Sequence, residues 1–389
     1  MENFILILTI AIIIMFSPMV SKITNIPVVV VEISFGMLAG FFGFLYADPT
    51  LKIIAKFGFL YLMFLAGLEI NLKLVKTIKK NLSFNVTLYF VMLYFIAFLI
   101  CMIFKLNFVY LVALPIFSLG MLMMLIKEYG KNELWLNLAL SIGVVGEIVS
   151  ILALTILSGW LEFGFGLGFY KSILTIFIVL FIGILMLKLF QIIFWWFPEA
   201  KKYIIPDIDR LDQDIRFSIS LFFILVAVMM YIKIDLVLGA FLAGLFLKLY
   251  FHQKEELIEK LSSFGFGFFA PIFFIYTGST VKIDVLDLEI LKHAMLIILA
   301  IISIRLISSF VAFYKYLKTK QTILFALSDS MPLTFIVAIA MLAYNNNIIS
   351  EKEYFSFIIA SMIDGLFLMI FIRRLYGWFG MNKTEKGKA

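Results

Sequence analysis

The chain has almost nothing from which a metal centre or a covalent catalyst is assembled. Its one cysteine, Cys101, lies inside an apolar run, so no disulfide and no thiolate metal site is available. Its two histidines, His252 and His293, fall near expected helix ends and argue against histidine-based metal or acid–base chemistry. Charged residues make up only 15% of the sequence, against about a quarter in soluble domains. No polar stretch is long enough for a separate soluble domain. The N-terminal apolar run from Phe4 to Phe16 has no basic leader before it and no small-residue cleavage site after it. It therefore reads as a first membrane helix rather than a signal peptide.

What the chain does have is apolar length. Hydrophobic residues make up 64% of the 389 positions and aromatics 17%. The runs are too long and too uniform for alternating membrane strands, so an all-α polytopic membrane protein is expected. Thirteen spans are read near 3–20, 26–46, 54–71, 83–104, 107–126, 134–159, 171–196, 213–232, 235–251, 261–280, 289–314, 321–344 and 353–379. A polar connector from Pro198 to Arg216 separates two halves. One set of alternating loops and the tail carry 23 Lys and Arg residues, among them Lys73, Lys76, Lys201, Lys202, Lys318 and Arg374, against 8 on the other side. The positive-inside rule then puts the N-terminus outside and the C-terminus inside. The same rule accounts for the net charge of +7 without calling for nucleic acid.

One carboxylate stands near the middle of an expected span. Glu147 lies in Leu134–Leu157, with Gly143 and Ser150 on the same helical face. A charged acid at that depth costs about 2.5–3.5 kcal/mol on insertion scales, so it calls for a function or a partner. Two further spans carry helix breakers. Pro115 sits in Ala113-Leu-Pro-Ile-Phe-Ser-Leu-Gly120, beside Ser118, and Pro332 sits in Ala326-Leu-Ser-Asp-Ser-Met-Pro-Leu-Thr334, beside Ser328, Asp329 and Ser330. Each proline removes a donor and clashes with the preceding turn. The two lie seven spans apart. The same offset relates Gly36-Met-Leu-Ala-Gly-Phe41 to Gly239-Ala-Phe-Leu-Ala-Gly-Leu245, and Met63-to-Asn71 to Phe273-to-Asp284. Seven is odd, so the copies run oppositely through the membrane, the inverted-repeat plan of secondary transporters. Broken helices facing each other across a polar midplane site are therefore expected.

These residues resemble a known family. Ile26-Pro-Val-Val-Val-Val-Glu32, Leu65-Ala-Gly-Leu-Glu69, Leu238-Gly-Ala-Phe-Leu-Ala-Gly244, Pro271-Ile-Phe-Phe274 and Leu327-Ser-Asp-Ser-Met-Pro332 are similar to stretches of the monovalent cation:proton antiporter-2 family. These are bacterial sodium/proton exchangers related to glutathione-gated potassium efflux antiporters. The resemblance implies a core built from spans 83–159 and 289–379, a dimerisation scaffold from 3–71 and 171–280, and two crossed broken helices near Glu147. It implies a homodimer in the bacterial inner membrane and no cofactor. The efflux systems carry a C-terminal nucleotide-binding domain, which is not expected here. Where many relatives have two acids, this sequence has Gly146 and Glu147.

Arg305 and Asp364 complete the set of membrane charges. Arg305 matches a position that is often basic in the family, and arginine cannot be deprotonated. It is expected to compensate a carboxylate, with Asp364 or Asp329 as its ion-pair partner. A buried Glu147 could then hold either a proton or a sodium-, lithium- or potassium-sized ion, and that competition would couple the two. Oxygens of the helix breaks, Ser118, Ser150, Ser328 or Asp329 would finish the cation's shell. Rocking of the core would expose the loaded site to each side in turn, giving one-for-one electroneutral exchange. A sodium-coupled symporter of an organic anion and a cation channel are the alternatives. An enzyme is not expected, because no nucleophile–base pair or metal cluster is in sight.

Overall fold

The computed structural model of the chain describes residues 2–24, 26–46, 48–69, 80–129, 133–164, 166–197, 199, 212–232, 236–251, 255–282 and 287–379. Asn71, His252, Asp284, most of the 198–216 connector and many of the loop and tail lysines lie outside the described residues. The secondary structure among the described residues is helical throughout. In chain order the helices are α1 (Glu2–Thr24), α2 (Val28–Phe41), α3 (Pro49–Glu69), α4 (Lys80–Phe104), α5 (Phe108–Ala113), α6 (Leu119–Tyr129), α7 (Leu134–Phe163) and α8 (Leu167–Trp196). They continue with α9 (Gln213–Tyr231), α10 (Leu236–Tyr250), α11 (Glu255–Phe264), a π-helical turn (Gly265–Phe269) and α12 (Ala270–Ser279). The last three are α13 (Leu288–Ser328), α14 (Leu333–Asn345) and α15 (Glu351–Trp378). Eight described helical stretches are long and apolar enough to cross a membrane.

The chain forms two compact units. The first comprises Met1–Pro18, Glu32–Ile70 and Thr155–Thr280. Its helices approach one another where side chains are absent. A Cβ on Gly67 would lie 2.3 Å from the Phe241 carbonyl oxygen, and one on Gly244 would lie 2.0 Å from that of Phe64. α3 and α10 thus meet backbone to backbone, the close packing that small residues allow in membranes, where lipid offers helices no hydrophobic drive to associate. Around Tyr61 the same unit collects Phe64, Phe222, Phe264 and Phe269 into an aromatic cluster.

The second unit comprises Met19–Val31, Asn71–Leu154 and Val281–Ala389. α13 is 41 residues long, about 60 Å at 1.5 Å per residue, twice the hydrocarbon thickness of a bilayer. It cannot be one straight span. The chain turns at Lys318, whose φ of 59° and ψ of 176° interrupt the helix. Spans read separately at 289–314 and 321–344 are thus joined by one residue rather than by a loop. That backbone region is essentially reserved for glycine and costs about 1–3 kcal/mol for other residues. Lys318→Gly is expected to raise stability by about 1 kcal/mol, read as a higher unfolding midpoint in a detergent thermal-shift assay.

One edge of this unit is fastened by polar caps. Asp287 Oδ1 accepts from the Ile290 N–H at 2.8 Å, starting α13, while Oδ2 pairs with Lys352 at 3.3 Å. The Ile290 amide and Lys352 together hold the Asp287 carboxyl below its ordinary range. α15 begins with a capping box of Ser350 and Glu353, and Tyr110 donates to the same Glu353 at 3.1 Å. These contacts join the starts of α13 and α15 to α5.

Candidate functional site

The site lies within the second unit and is built on two interruptions of helix. The first separates α5, ending at Ala113, from α6, starting at Leu119. Pro115 has no N–H to continue the ladder, and Ile116, Phe117 and Ser118 leave helical geometry. The second separates Ser328 from Leu333, with Asp329 and Ser330 in a turn and Pro332 at the N-cap of α14. Ser328 and Ser330 donate their hydroxyls to the Phe325 and Ala326 carbonyls at 2.7 Å, sealing the end of α13.

Breaks of this kind leave main-chain oxygens without partners, which is costly away from water. Arg305, fully buried in α13, supplies the missing donors. Its Nε donates to the Asp329 carbonyl at 2.8 Å and its Nη1 to the Leu114 carbonyl at 2.8 Å. Its Nη2 donates to the Ile116 carbonyl. A single guanidinium therefore holds both interruptions. The Phe117 ring lies 5.4 Å from the same guanidinium carbon, adding a cation–π contact.

This corrects the expected pairing. Asp364 is buried on α15, yet among the described residues it makes no ion pair with Arg305, and its Oδ1 has no hydrogen-bond partner. The planar fork of arginine finds more donors' worth of acceptor in three convergent carbonyls than in one carboxylate. Asp329 is likewise joined to Arg305 through its main chain, while its carboxylate Oδ2 accepts from Tyr89 at 3.3 Å. A second expectation changes with it. The break carbonyls of 114, 116 and 329 already face a permanent cation, so they are poor ligands for a transported one.

The helix of Glu147 is seated against the first break. The Phe117 N–H donates to Ser150 Oγ at 2.7 Å, so Ser150 satisfies an amide left by the interruption. A Cβ at Gly146 would lie 2.4 Å from Phe117 Cγ, and one at Gly143 would lie 2.8 Å from a Leu119 methyl. Gly143, Gly146 and Ser150 thus mark the face of α7 that meets the break, and Glu147, only 2% exposed, belongs to that stripe. Ser118, part-buried, is the break hydroxyl nearest in sequence to Phe117. The glycine at 146 follows from the ring of Phe117, which also packs on Tyr89 and Phe90. Gly146→Ala is expected to destabilise by about 1–3 kcal/mol through overpacking, with the smaller side chain of a Phe117→Leu second change restoring part of the thermal midpoint.

Tyr89 and Phe117 escaped the reading of the sequence. Neither is charged, and both lie among 45 phenylalanines and 16 tyrosines. The only local signal for Phe117 was its position two residues after Pro115.

A tightly buried acid beside two interruptions clamped by an arginine is the equipment of an ion carrier, and the comparisons agree. The family model described as sodium/hydrogen exchanger, transmembrane, matches residues 6–375. The chain belongs to the sodium/hydrogen exchanger family. It is a membrane transporter rather than an enzyme, and its activity is cation:proton antiport. The exchanger is 29% identical over 312 residues to a probable Na(+)/H(+) antiporter 3 of Methanocaldococcus jannaschii, covering 77% of each chain. It is 26% identical over 381 residues to a putative Na(+)/H(+) antiporter of Bacillus subtilis, covering 90% of this chain and 59% of that one. In fold it is similar to the solved sodium proton antiporter MjNhaP1 of Methanocaldococcus jannaschii, with a TM-score of 0.70, 16% identity, and coverage of 98% and 99% of the two chains.

Proposed function

We propose that the exchanger swaps one monovalent cation for one proton at Glu147, which holds either but never both. The observation that supports this reading is the seating of the Gly143–Gly146–Ser150 face of α7, the stripe to which Glu147 belongs, on the Phe117 break. A buried carboxylate is costly as a charge, which favours a proton or a metal ion upon it. That exclusion couples the two flows. Sodium is the first candidate, as the names of the relatives suggest, with lithium and potassium as its competitors.

Roles for the other residues follow from their contacts. Arg305, held by carbonyls, is a fixed counter-charge that never leaves its place. Asp364 lends a second carboxylate to the electrostatics of the site, and Ser118 a hydroxyl ligand. Ser150, Gly143, Pro115, Ser328, Asp329, Ser330 and Pro332 shape the two breaks, which we take to cross each other as the inverted repeat requires. With Glu147 as the one acid that cycles and Arg305 permanently charged, exchange is electroneutral.

The finer architecture is proposed on the same footing: thirteen spans, N-terminus outside and C-terminus inside, the antiporter-2 branch of the family, and a homodimer in a bacterial inner membrane. Transport belongs to residues 83–159 and 289–379, and dimerisation to 3–71 and 171–280. Proteoliposomes test the function directly. A sodium jump outside acid-loaded vesicles should alkalinise the lumen as fast with the membrane potential clamped as without, and give no steady current on a solid-supported membrane. A current that grows with the gradient would reject electroneutrality. Proton movement that needs an organic anion, or unitary conductance steps, would favour the symporter or the channel.

A further inference from the structure

A further buried acid belongs to the first unit. Glu32 is the only charged residue of α2 and is 3% exposed, yet it makes no hydrogen bond or ion pair among the described residues. Its surroundings can be read from the packing of α2 on α12. A Cβ at Gly36 would lie 2.2 Å from the Ile275 carbonyl oxygen, and one at Gly40 would lie 2.7 Å from that of Ser279. One at Gly278 would lie 2.1 Å from the Ile33 carbonyl oxygen. The Gly36–Gly40 face of α2 is therefore in close backbone contact with α12. Glu32 precedes Gly36 by one turn on the same face, the face that meets α12.

The opposing surface brings no charged side chain toward Glu32. From Gly265 to Ser279 there is no charged residue, and Tyr276 is the only titratable one. The hydroxyls of Thr277 and Ser279 are already donated to the Phe273 and Tyr276 carbonyls. A carboxylate so placed has one inexpensive way to lose its charge, because an isolated ion in an apolar setting neutralises by taking a proton.

We propose that Glu32 is a second proton-binding site, specific for the proton and closed to the transported cation. It holds a resident proton that is not turned over in the cycle. The reasoning rests on the competition assigned to Glu147: a cation displaces a proton only where ligating groups converge on the carboxylate, and residues 265–279 bring it no charged side chain while the Thr277 and Ser279 hydroxyls are turned to carbonyls of their own helix. The neutral acid also lets α2 and α12 keep their backbone contact, since an ionised side chain would draw water between them.

Infrared spectroscopy of the full chain carrying carbon-13 glutamate separates this site from Glu147. A labelled carboxylic-acid carbonyl band is expected to persist in saturating sodium in the native chain and in Glu147→Gln, and to vanish in Glu32→Gln. Glu32→Asp should lose the labelled band as well, which keeps the assignment open to test if the amide variant folds poorly. Exchange by Glu32→Gln should be unchanged, because the amide mimics the protonated acid. The proposal falls if the band is absent from the native chain, is bleached by sodium, survives in Glu32→Gln, or if a folded Glu32→Gln no longer exchanges. A sodium-sensitive glutamate band that survives in Glu147→Gln would instead remove the seat at Glu147 and leave Glu32 untouched.

Discussion

Glu147→Gln is expected to bring sodium-driven proton movement down to that of empty vesicles while the protein keeps its fold. The amide has nearly the shape of the acid, so the Gly143–Gly146–Ser150 contact with the Phe117 break is undisturbed. It cannot take up a proton at any working pH, and it offers a cation a dipole in place of a full charge. Loss of one charged partner in a buried site costs about 3–5 kcal/mol, roughly two to three and a half orders of magnitude in affinity. Stability should move the other way. A membrane-depth carboxylate is worth about 2.5–3.5 kcal/mol in insertion cost, so the unfolding midpoint of Glu147→Gln should equal or exceed that of the native chain. Dye quenching in vesicles and a thermal-shift scan on the same preparation measure both. Retained exchange, or a collapse of the midpoint, would show that Glu147 is a structural acid.

Arg305→Ala should have the largest effect on stability. It strips the Leu114, Ile116 and Asp329 carbonyls of their donor at one stroke. Each buried carbonyl left unsatisfied costs about 1–3 kcal/mol, and the cavity left by the side chain adds to that. A fall in the thermal midpoint on the order of 10 °C follows, with poor expression as its cellular counterpart. Arg305→Lys is the informative control. A lysine ammonium keeps the charge but is a compact point donor, unable to span two breaks as the planar fork does. If Arg305 acted mainly by its charge, lysine would restore both stability and exchange. The geometry predicts that it restores exchange in part and stability hardly at all, so the two readouts separate.

The parts of this protein that were legible in sequence are those written locally. Apolar length marked the helices, and proline beside serine and aspartate marked the two interruptions at Leu114–Ser118 and Asp329–Pro332. The buried acid at 147 stood out because membrane helices rarely carry one. What stayed hidden depends on partners far apart in the chain. Charge logic sent Arg305 to a carboxylate, whereas its donors go to carbonyls 191 and 189 residues away. Main-chain acceptors look the same at every residue, so no side-chain pattern could have named them. Phe117 was invisible for a related reason: its importance comes from the void at Gly146 on another helix, and neither residue is unusual by itself. The break at Lys318 was hidden by its composition, since Lys315, Lys318 and Lys320 look like an ordinary loop while the helix is interrupted at a single residue.

That Arg305 grips backbone rather than side chains has a consequence for how such a protein can change over time. The identities of residues 114, 116 and 329 are irrelevant to the grip, so substitution there can change the side chains around the two breaks without loosening the frame. Only the arginine itself is barred from drifting. One immovable residue thereby gives its neighbours licence to vary.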